Sequence, residues 1–544
     1  IPNAPFEATY YKTFVRRFQY QRPKGLILGL PGQTGEFNRN GYRFELYNTD
    51  RFVHTPDRPA MYQSWPIVFH QVENHWCAIF FDNPSRTFVD LGEFYPDRVT
   101  FEAAFNNLRV YIILGKTLAE VSSKLVTLIG KPICPPRWAF GYQQSRWSYN
   151  NSSEIRATVA KFKAEKIPLH AMHFDIDYMQ DFKVFELNQT AFPDLSELIH
   201  ELDQQSVKSI CILDPGVKID DSGQYKIYNE LVESTAYLQT KDKEPFIAKV
   251  WPGDTLLPDF ANPAGNSIWQ NNLREWLTKY PFAGVWNDMN EPSNFNGHNK
   301  ANCLAYSCNG SLELDHNLYG YNMAKASAEA IQSKRADDQL VITRAGYPGV
   351  QRFAVAWHGD NQCWWEHLRL ALRTAVQYSI CGLFFSGADL PGFTGNPTPD
   401  LAVRFYQLGA FLPFFRGHSW KFSNRKEPWE FGEEATELIK SAIMLRESML
   451  DEWHQEFTLA SRYGRAPISP VLDSNQNLVD DQFLLFNKYL VAPVLDRGAQ
   501  QKIVYLPAGT WQRFDGQAHG AQISGDSWLM EAVTLKSVPV FVRI

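Results

Sequence analysis

The sequence predicts a (β/α)8 barrel flanked by N-terminal and C-terminal β-sandwich domains, and three observations carry that prediction. Between residues 137 and 464, eight short apolar runs (138–142, 171–174, 209–213, 283–286, 340–343, 354–357, 382–385 and 412–415) alternate with helical patterns. That alternation marks strand–helix units around a parallel sheet. Each run is followed by an amide, an acid, an Arg or a His, and a closed parallel barrel gathers all its strand ends on one face. On either side, in 1–118 and 465–544, aromatic and β-branched runs are separated by Gly, Asn, Asp and Pro, the texture of sandwiches.

Taken in order, a chain of 544 residues exceeds one hydrophobic core and suits two or three domains. Runs at 26–30, 42–47, 65–70, 76–81 and 110–114 read as strands of a shortened first sandwich. A helix over 117–128 leads into Gly130-Lys-Pro-Ile-Cys-Pro-Pro136, so 119–136 reads as a linker. The barrel carries two long connections, 215–265 after the third run and 291–320 after the fourth, and loops of that size are normally functional or small subdomains. A helix over 434–450 closes it, and runs at 483–486, 489–494, 502–506 and 538–542 form the last sandwich. An open doubly wound sheet is the alternative, but no G-x-G-x-x-G follows the first run.

Composition narrows the function classes. Net charge is −6 with no block of like charge, which argues against nucleic acid or an anionic membrane surface as partner. No run of roughly 18 apolar residues offers a membrane span. The start, Ile-Pro-Asn-Ala-Pro, has neither an initiator Met nor a signal-peptide pattern, so some N-terminal sequence is expected to be missing. Seven cysteines, two of them in apolar runs, favour a reducing, cytoplasmic setting, although Cys303 and Cys308 lie close enough in sequence to pair.

The residues after the runs carry the chemistry. In order they are Gln143 to Trp147, Asp175-Ile-Asp177, Asp214, Asn287-Asp288, Arg344, Trp357-His-Gly-Asp360, Asp389 to Phe393, and Arg416-Gly-His418. His is too sparse for a ligand-spaced metal set, so no metal and no cofactor is expected. No Ser or Cys sits in a nucleophile elbow. Several carboxylates with one Arg, one His and several Trp make a sugar-binding inventory. Hydrolysis of a glycoside needs an acid–base carboxyl and a nucleophilic carboxylate flanking one oxygen, and Asp288 and Asp360 are the natural pair. His173 and His367 read as core.

Trp286-Asn-Asp-Met-Asn-Glu-Pro292 resembles the nucleophile signature of glycoside hydrolase family 31, in its α-glucosidase branch. The resemblance extends through Gly141-Tyr-Gln-Gln-Ser-Arg-Trp147, Asp175-Ile-Asp-Tyr-Met179, Ile342-Thr-Arg344, Trp357-His-Gly-Asp-Asn361, Ser386-Gly-Ala-Asp389, Phe393 and Asp480-Asp-Gln-Phe483. Leu28-Gly-Leu-Pro and Tyr47-Asn-Thr-Asp50 are similar to the family's N-terminal sandwich. The resemblance implies a retaining, exo-acting α-glucosidase with Asp288 as nucleophile and Asp360 as acid–base. Asp50, Asp175, Arg344 and His418 would bind hydroxyls, and Ile176, Trp251, Trp286, Met289, Trp357 and Phe393 would wall the pocket. Asp360 is expected to be the group with the raised pKa, with Arg344 holding Asp288 charged. Trp147 would offer its indole face to the second glucose, as isomaltase-like members do, favouring α-1,6 bonds alongside α-1,4. Against the family's pattern, the leading strands of the N-terminal domain and the far C-terminal domain are expected to be absent, and Asn287 and His358 stand where the family varies. An α-xylosidase or glucosyl transferase on the same scaffold is the runner-up, although xyloside members carry Phe-Gly-Glu where this chain has Met289-Asn290-Glu291. A non-catalytic sugar-binding protein is the third reading, and self-association is left open.

Overall fold

The structure, a computed structural model, describes residues 7–10, 16–105, 107–297, 300–332 and 340–544. The leading stretch 1–5, read above for a signal pattern, lies outside them. At the centre an eight-stranded parallel sheet runs Gln143–Gln144, Ala171–Phe174, Lys208–Leu213, Gly284–Asn287, Leu340–Thr343, Val355–Ala356, Asp389–Leu390 and Arg416–Gly417. Neighbours in sequence are neighbours in space, and the last strand pairs with both the first and the seventh. Between the sixth and seventh strands the backbone is bridged by Ala356 N–H to Phe385 O at 3.3 Å and His358 N–H to Gly387 O at 3.0 Å. The sheet therefore curls round as a barrel.

Three strands sit further along than the apolar runs suggest. Residues 138–140 belong to a 3-10 turn at Arg137–Phe140, and the first strand follows it at Gln143. The seventh and eighth strands start at Asp389 and Arg416, past the runs 382–385 and 412–415. In each case the apolar run packs into the core, and the ladder that follows opens on a polar or charged residue. Asp389 and Arg416 face each other in register, and Arg416 Nη2 lies 2.6 Å from Asp389 Oδ1. The helix expected over 434–450 is Glu433–Ser448, and after Met449 a second helix, Leu450–Tyr463, follows that the sequence did not indicate.

The N-terminal part stacks a five-stranded sheet (Glu7–Tyr10, Arg16–Gln21, Arg98–Ala103, Thr87–Asp90, Arg43–Leu46) on a four-stranded one (Ile27–Gly29, Ile67–Val72, His75–Phe81, Val110–Gly115). Phe18, Phe44, Val89 and Phe101 meet Ile27, Val68, Ile79 and Phe81 between the sheets. The opposite face of the second sheet, with Leu28, Ile67, Phe69, Ala78 and Phe80, packs into the barrel's core. Burial on both faces explains why His75–Phe81 reads as a continuous apolar run after its first residue. Arg16–Gln21 escaped the sequence reading because it is polar in appearance. It alternates, and its Arg17 pairs with Glu102 directly across the ladder.

The C-terminal part is a six-stranded sheet built from Ile468–Leu472, Leu478–Leu485, Tyr489–Val491, Val540–Arg543, Thr510–Phe514 and Ala518–Ser524, with a two-stranded ladder of Gln501–Leu506 and Ser527–Ala532. Val471, Leu490, Val504, Leu506, Trp511 and Phe541 fill it. The long connection after the third barrel strand holds a three-stranded antiparallel sheet, Val217–Lys218, Gly253–Leu256 and Ile247–Val250, with helix Lys226–Glu233. That after the fourth carries a small hairpin, Tyr306–Ser307 with Gly310–Ser311. All seven cysteines are free, Cys303 and Cys308 included. No helix among the described residues is long and apolar enough to cross a membrane.

Candidate active site

A cavity of about 990 Å³ opens at the carboxyl ends of the barrel strands. Asp288 enters it straight off the fourth strand, whose last residue, Asn287, is paired with Leu213 and Thr343 on either side. The next residue, Met289, has φ 57°, a left-handed conformation uncommon outside glycine. That turn brings the Met289 N–H onto Asp288 Oδ1 at 2.8 Å and fixes the carboxylate's direction.

Arg344 ends the fifth strand beside it, its N–H bonded to Asn287 O at 3.0 Å. Its buried guanidinium forks onto Glu291, with Nε 2.8 Å from Oε1 and Nη2 2.9 Å from Oε2. The same group lies 3.0 Å from Asp288 Oδ1, 3.3 Å from Asp50 Oδ2 and 3.8 Å from Asp360 Oδ2. One cation thus sits among four carboxylates. Ser293 Oγ, 2.7 Å from Glu291 and 3.1 Å from Asp50, ties the cluster together.

Asp360 follows Gly359, which has φ +80° and no room for a side chain, since a Cβ there would meet the Tyr62 ring at 2.1 Å. The close approach lets the Asp360 N–H donate to the Tyr62 hydroxyl at 3.3 Å. Asp360 and Asp288 are both 15% exposed, enough to reach a ligand.

Burial raises the pKa of both carboxyls, but not for the same balance of reasons. At Asp360 burial dominates and the charge of Asp288 adds to it, driving the carboxyl well above its usual range against the pull of Arg344. At Asp288 burial is opposed by Arg344, by the Met289 N–H and by Arg416. The expectation of one raised group thus becomes two raised groups held at different levels, the asymmetry that separates an acid from a nucleophile.

The floor is aromatic. Trp286 meets Trp357 at 5.4 Å and His418 at 5.2 Å, both edge to face, and Phe393 stacks on His418 at 4.9 Å. Arg416 lies beneath, 4.5 Å from the Trp286 ring centre. Burial and the Arg416 charge push His418 well below its usual pKa, leaving it neutral. Asp175 Oδ2 is 3.8 Å from His418 Nε2, while Asp175 Oδ1 accepts from the Ile176 N–H at 2.7 Å. Burial pushes Asp175 well up too.

Of the residues singled out from sequence, Asp50, Trp147, Asp175, Ile176, Trp251, Trp286, Asp288, Met289, Arg344, Asp360, Phe393 and His418 all line the cavity. Trp357 does not. It is 2% exposed and supports Trp286 from behind, because the sixth strand ends one residue earlier and turns its indole into the barrel. Trp147 lines the cavity with only 9% of its surface exposed. Trp251 leans on it at 5.0 Å and the Lys421 ammonium stands 4.3 Å over its ring, so the open indole face expected from sequence is largely covered.

The structure gives places to residues to which the sequence assigned no role in the site. Glu291 and Ser293 sit three and five positions beyond Asp288 and complete the Arg344 cluster. Asp214, at the end of the third strand, is buried with Oδ1 lacking a hydrogen-bond partner. Phe52, Trp420 and Phe422 form a second aromatic wall, Phe52 meeting Trp420 at 5.4 Å and Trp420 meeting Phe422 at 4.8 Å. Phe52, two residues past Asp50 in a turn, offered the one available signal.

This geometry agrees with three family profiles that together match most of the chain. Residues 132–456 match the glycosyl hydrolases family 31 TIM-barrel domain, 7–90 the family's N-terminal galactose mutarotase-like domain, and 466–544 its C-terminal domain. The chain belongs to glycoside hydrolase family 31. Among family 31 relatives, Alpha-glucosidase 2 of Bacillus thermoamyloliquefaciens is 32% identical over 527 residues, covering 95% of this chain and 66% of its own. Neutral alpha-glucosidase AB of Homo sapiens is 31% identical over 535 residues, covering 92% and 56%. A crystal structure of a glucosidase II alpha subunit superposes with a TM-score of 0.90 at 27% identity, over 97% of this chain and 61% of that one. The Flavobacterium johnsoniae family 31 dextranase complexed with isomaltotriose gives 0.90 at 25%, over 99% and 68%. The chain spans between half and two thirds of the length of these curated relatives.

Proposed function

We propose that the protein is a retaining, exo-acting α-glucosidase that releases glucose from the non-reducing end of α-glucosides. The observation that carries this is the Asp288–Arg344–Asp360 arrangement, in which one guanidinium reaches both carboxyls at the mouth of a cavity closed by Trp286. Asp288, kept nearer its charged form by Arg344 and the Met289 N–H, attacks the anomeric carbon. Asp360, holding its proton longer, gives it to the departing glycosidic oxygen. A water then enters, Asp360 takes its proton back, and the glucosyl–Asp288 ester is cleaved with net retention. Asp175 and the neutral His418 meet the hydroxyls of the buried glucose, and Trp286 packs under its ring. Asp50 reaches the same ring from the N-terminal domain. The curated relatives named as α-glucosidases support this reading.

Both α-1,6 and α-1,4 bonds are taken, and isomaltose is cleaved at least as well as maltose. An α-1,6 bond adds a rotatable methylene that lets the second glucose tilt past the partly covered Trp147 edge, and the isomaltotriose complex of the dextranase relative supports it. Kinetics on the two disaccharides, with p-nitrophenyl α-glucoside and α-xyloside as references, provide the test. Trp147→Tyr is expected to shift the ratio of kcat/KM toward maltose by about three- to tenfold. An unchanged ratio would remove Trp147 from the argument, and faster turnover of the xyloside would replace the substrate class.

A further inference from the structure

The rim of the cavity differs in charge from its depth. Lining the depth are Asp288, Asp360 and Asp175, with Arg344 among them, and Asp214 and Glu291 are buried close by. Among the charged residues at the rim, Arg86 is paired with Glu45 at 3.3 Å, and Asp50 is paired with Arg344. Two cations, Arg51 in the lining and Lys421 beside it, have no carboxylate partner among the described residues. Arg51 lines the cavity, and its Nε is buried without an acceptor. The Lys421 ammonium is wedged between two rings of the cavity wall, 4.3 Å from the Trp147 centre and 5.3 Å from that of Phe422.

Lys421 is held there by its loop. The buried Arg146 donates to Ser419 Oγ at 2.8 Å, to Lys421 O at 3.3 Å, to Ser423 O at 3.1 Å and to Asn424 O at 3.4 Å. A positioned cation between aromatic faces loses little side-chain freedom when it meets an anion. Beyond the buried glucose the site therefore presents two unpaired positive charges and the exposed faces of Phe52 and Phe422.

We infer that Lys421 and Arg51 select leaving groups carrying a negative charge, so that the favoured substrates are α-glucosides with an anionic, ring-bearing aglycone. The inference rests on the α-glucosidase reading above and deepens it. Lys421 and Arg51 act on binding of the leaving group, not on the bond being broken.

The test compares 4-(carboxymethyl)phenyl α-glucoside with its neutral twin, 4-(carbamoylmethyl)phenyl α-glucoside, whose insulating methylene keeps the two phenols nearly equal as leaving groups. The expected kcat/KM ratio is about fivefold in favour of the acid at low ionic strength, falling toward one in 0.5 M NaCl, as for partly exposed charges. In Lys421→Gln the ratio drops at least twofold, with the loss in the KM of the acid. A ratio near one in the unaltered enzyme, or a preference that Lys421→Gln and salt leave unchanged, overturns the inference. Should the variant fail to fold, judged by its melting curve, the salt dependence of the unaltered enzyme decides alone. Failure to cleave either compound would count against the α-glucosidase reading instead.

Discussion

Arg344 is the residue on which the site's electrostatics turn, because four carboxylates compete for it. Glu291 takes the fork, fully buried and with both oxygens engaged, and what remains is shared among Asp288, Asp50 and Asp360. The sign of a change at Glu291 follows. Burial and neighbouring negative charge already raise the Glu291 carboxyl against the pull of Arg344. Replacing it by Gln removes one negative charge and frees the guanidinium to favour charged Asp288. The proposed roles assign the acid limb of the kcat/KM profile to protonation of Asp288 and the alkaline limb to loss of the Asp360 proton, and both should then move to lower pH. The rate at the optimum should fall about tenfold to a hundredfold, since the fork that aims Arg344 is weakened. A pH–rate series on p-nitrophenyl α-glucoside checks this, and an acid limb displaced upward would contradict it.

At the scale of strands, the barrel ends show what sequence could and could not reveal. The fourth and fifth strands were legible because Gly284–Asn287 and Leu340–Thr343 are buried throughout, and the residues that follow them are the site. The first, seventh and eighth were misplaced because their ladders consist of Gln143-Gln144, Asp389-Leu390 and Arg416-Gly417, two-residue strands each opened by a polar or charged residue, which no hydrophobic pattern can find. Trp357 read as a wall when it is a buttress, because the sixth strand, Val355–Ala356, ends one residue before it and the indole packs on Trp286 out of the lining. Phe52, Trp420 and Phe422 went unseen because they lie on loops, where no periodicity points a side chain anywhere.

Asp214 gives this scale its prediction. It ends the third strand buried, and burial together with the charge of Asp288 raises its pKa well above normal. The folded state therefore holds that proton more tightly than the unfolded chain, whose Asp titrates near 3.9. Stability is lost as pH climbs from that value toward the folded pKa. Asp214→Asn should raise stability at pH 7 by about 1 kcal/mol while lowering activity, with little gain near pH 4. Thermal unfolding at the two pH values measures it, and an equal shift at both would exclude the titration argument.

Across the whole molecule, the N-terminal sheets do more than cap the barrel, since the segment holding Asp50, Phe52 and Tyr62 comes from them. Asn48 anchors that segment: its N–H donates to Asn317 Oδ1 at 2.8 Å and its Nδ2 donates to Asn317 O and Gly346 O. The ring of Tyr47 stacks on His316 at 3.8 Å, and His316 Nε2 donates to Asn48 O at 2.8 Å. Asn48→Ala should therefore lower kcat/KM about tenfold, mainly through KM, and cost about 1–3 kcal/mol of stability. Equal kinetics in the variant would mean that Asp50 is placed by Arg344 alone.

The proposed mechanism requires that Asp288 become covalently bound to glucose during turnover. Incubation with 5-fluoro-α-D-glucosyl fluoride, followed by proteolysis and mass spectrometry, tests it most directly, because the ring fluorine slows release of the glycosyl–enzyme ester. The predicted result is time-dependent inactivation with the sugar on the peptide bearing Asp288, and no label in Asp288→Asn. Label on Asp360, or inversion of the first-formed glucose anomer without any label, would contradict it.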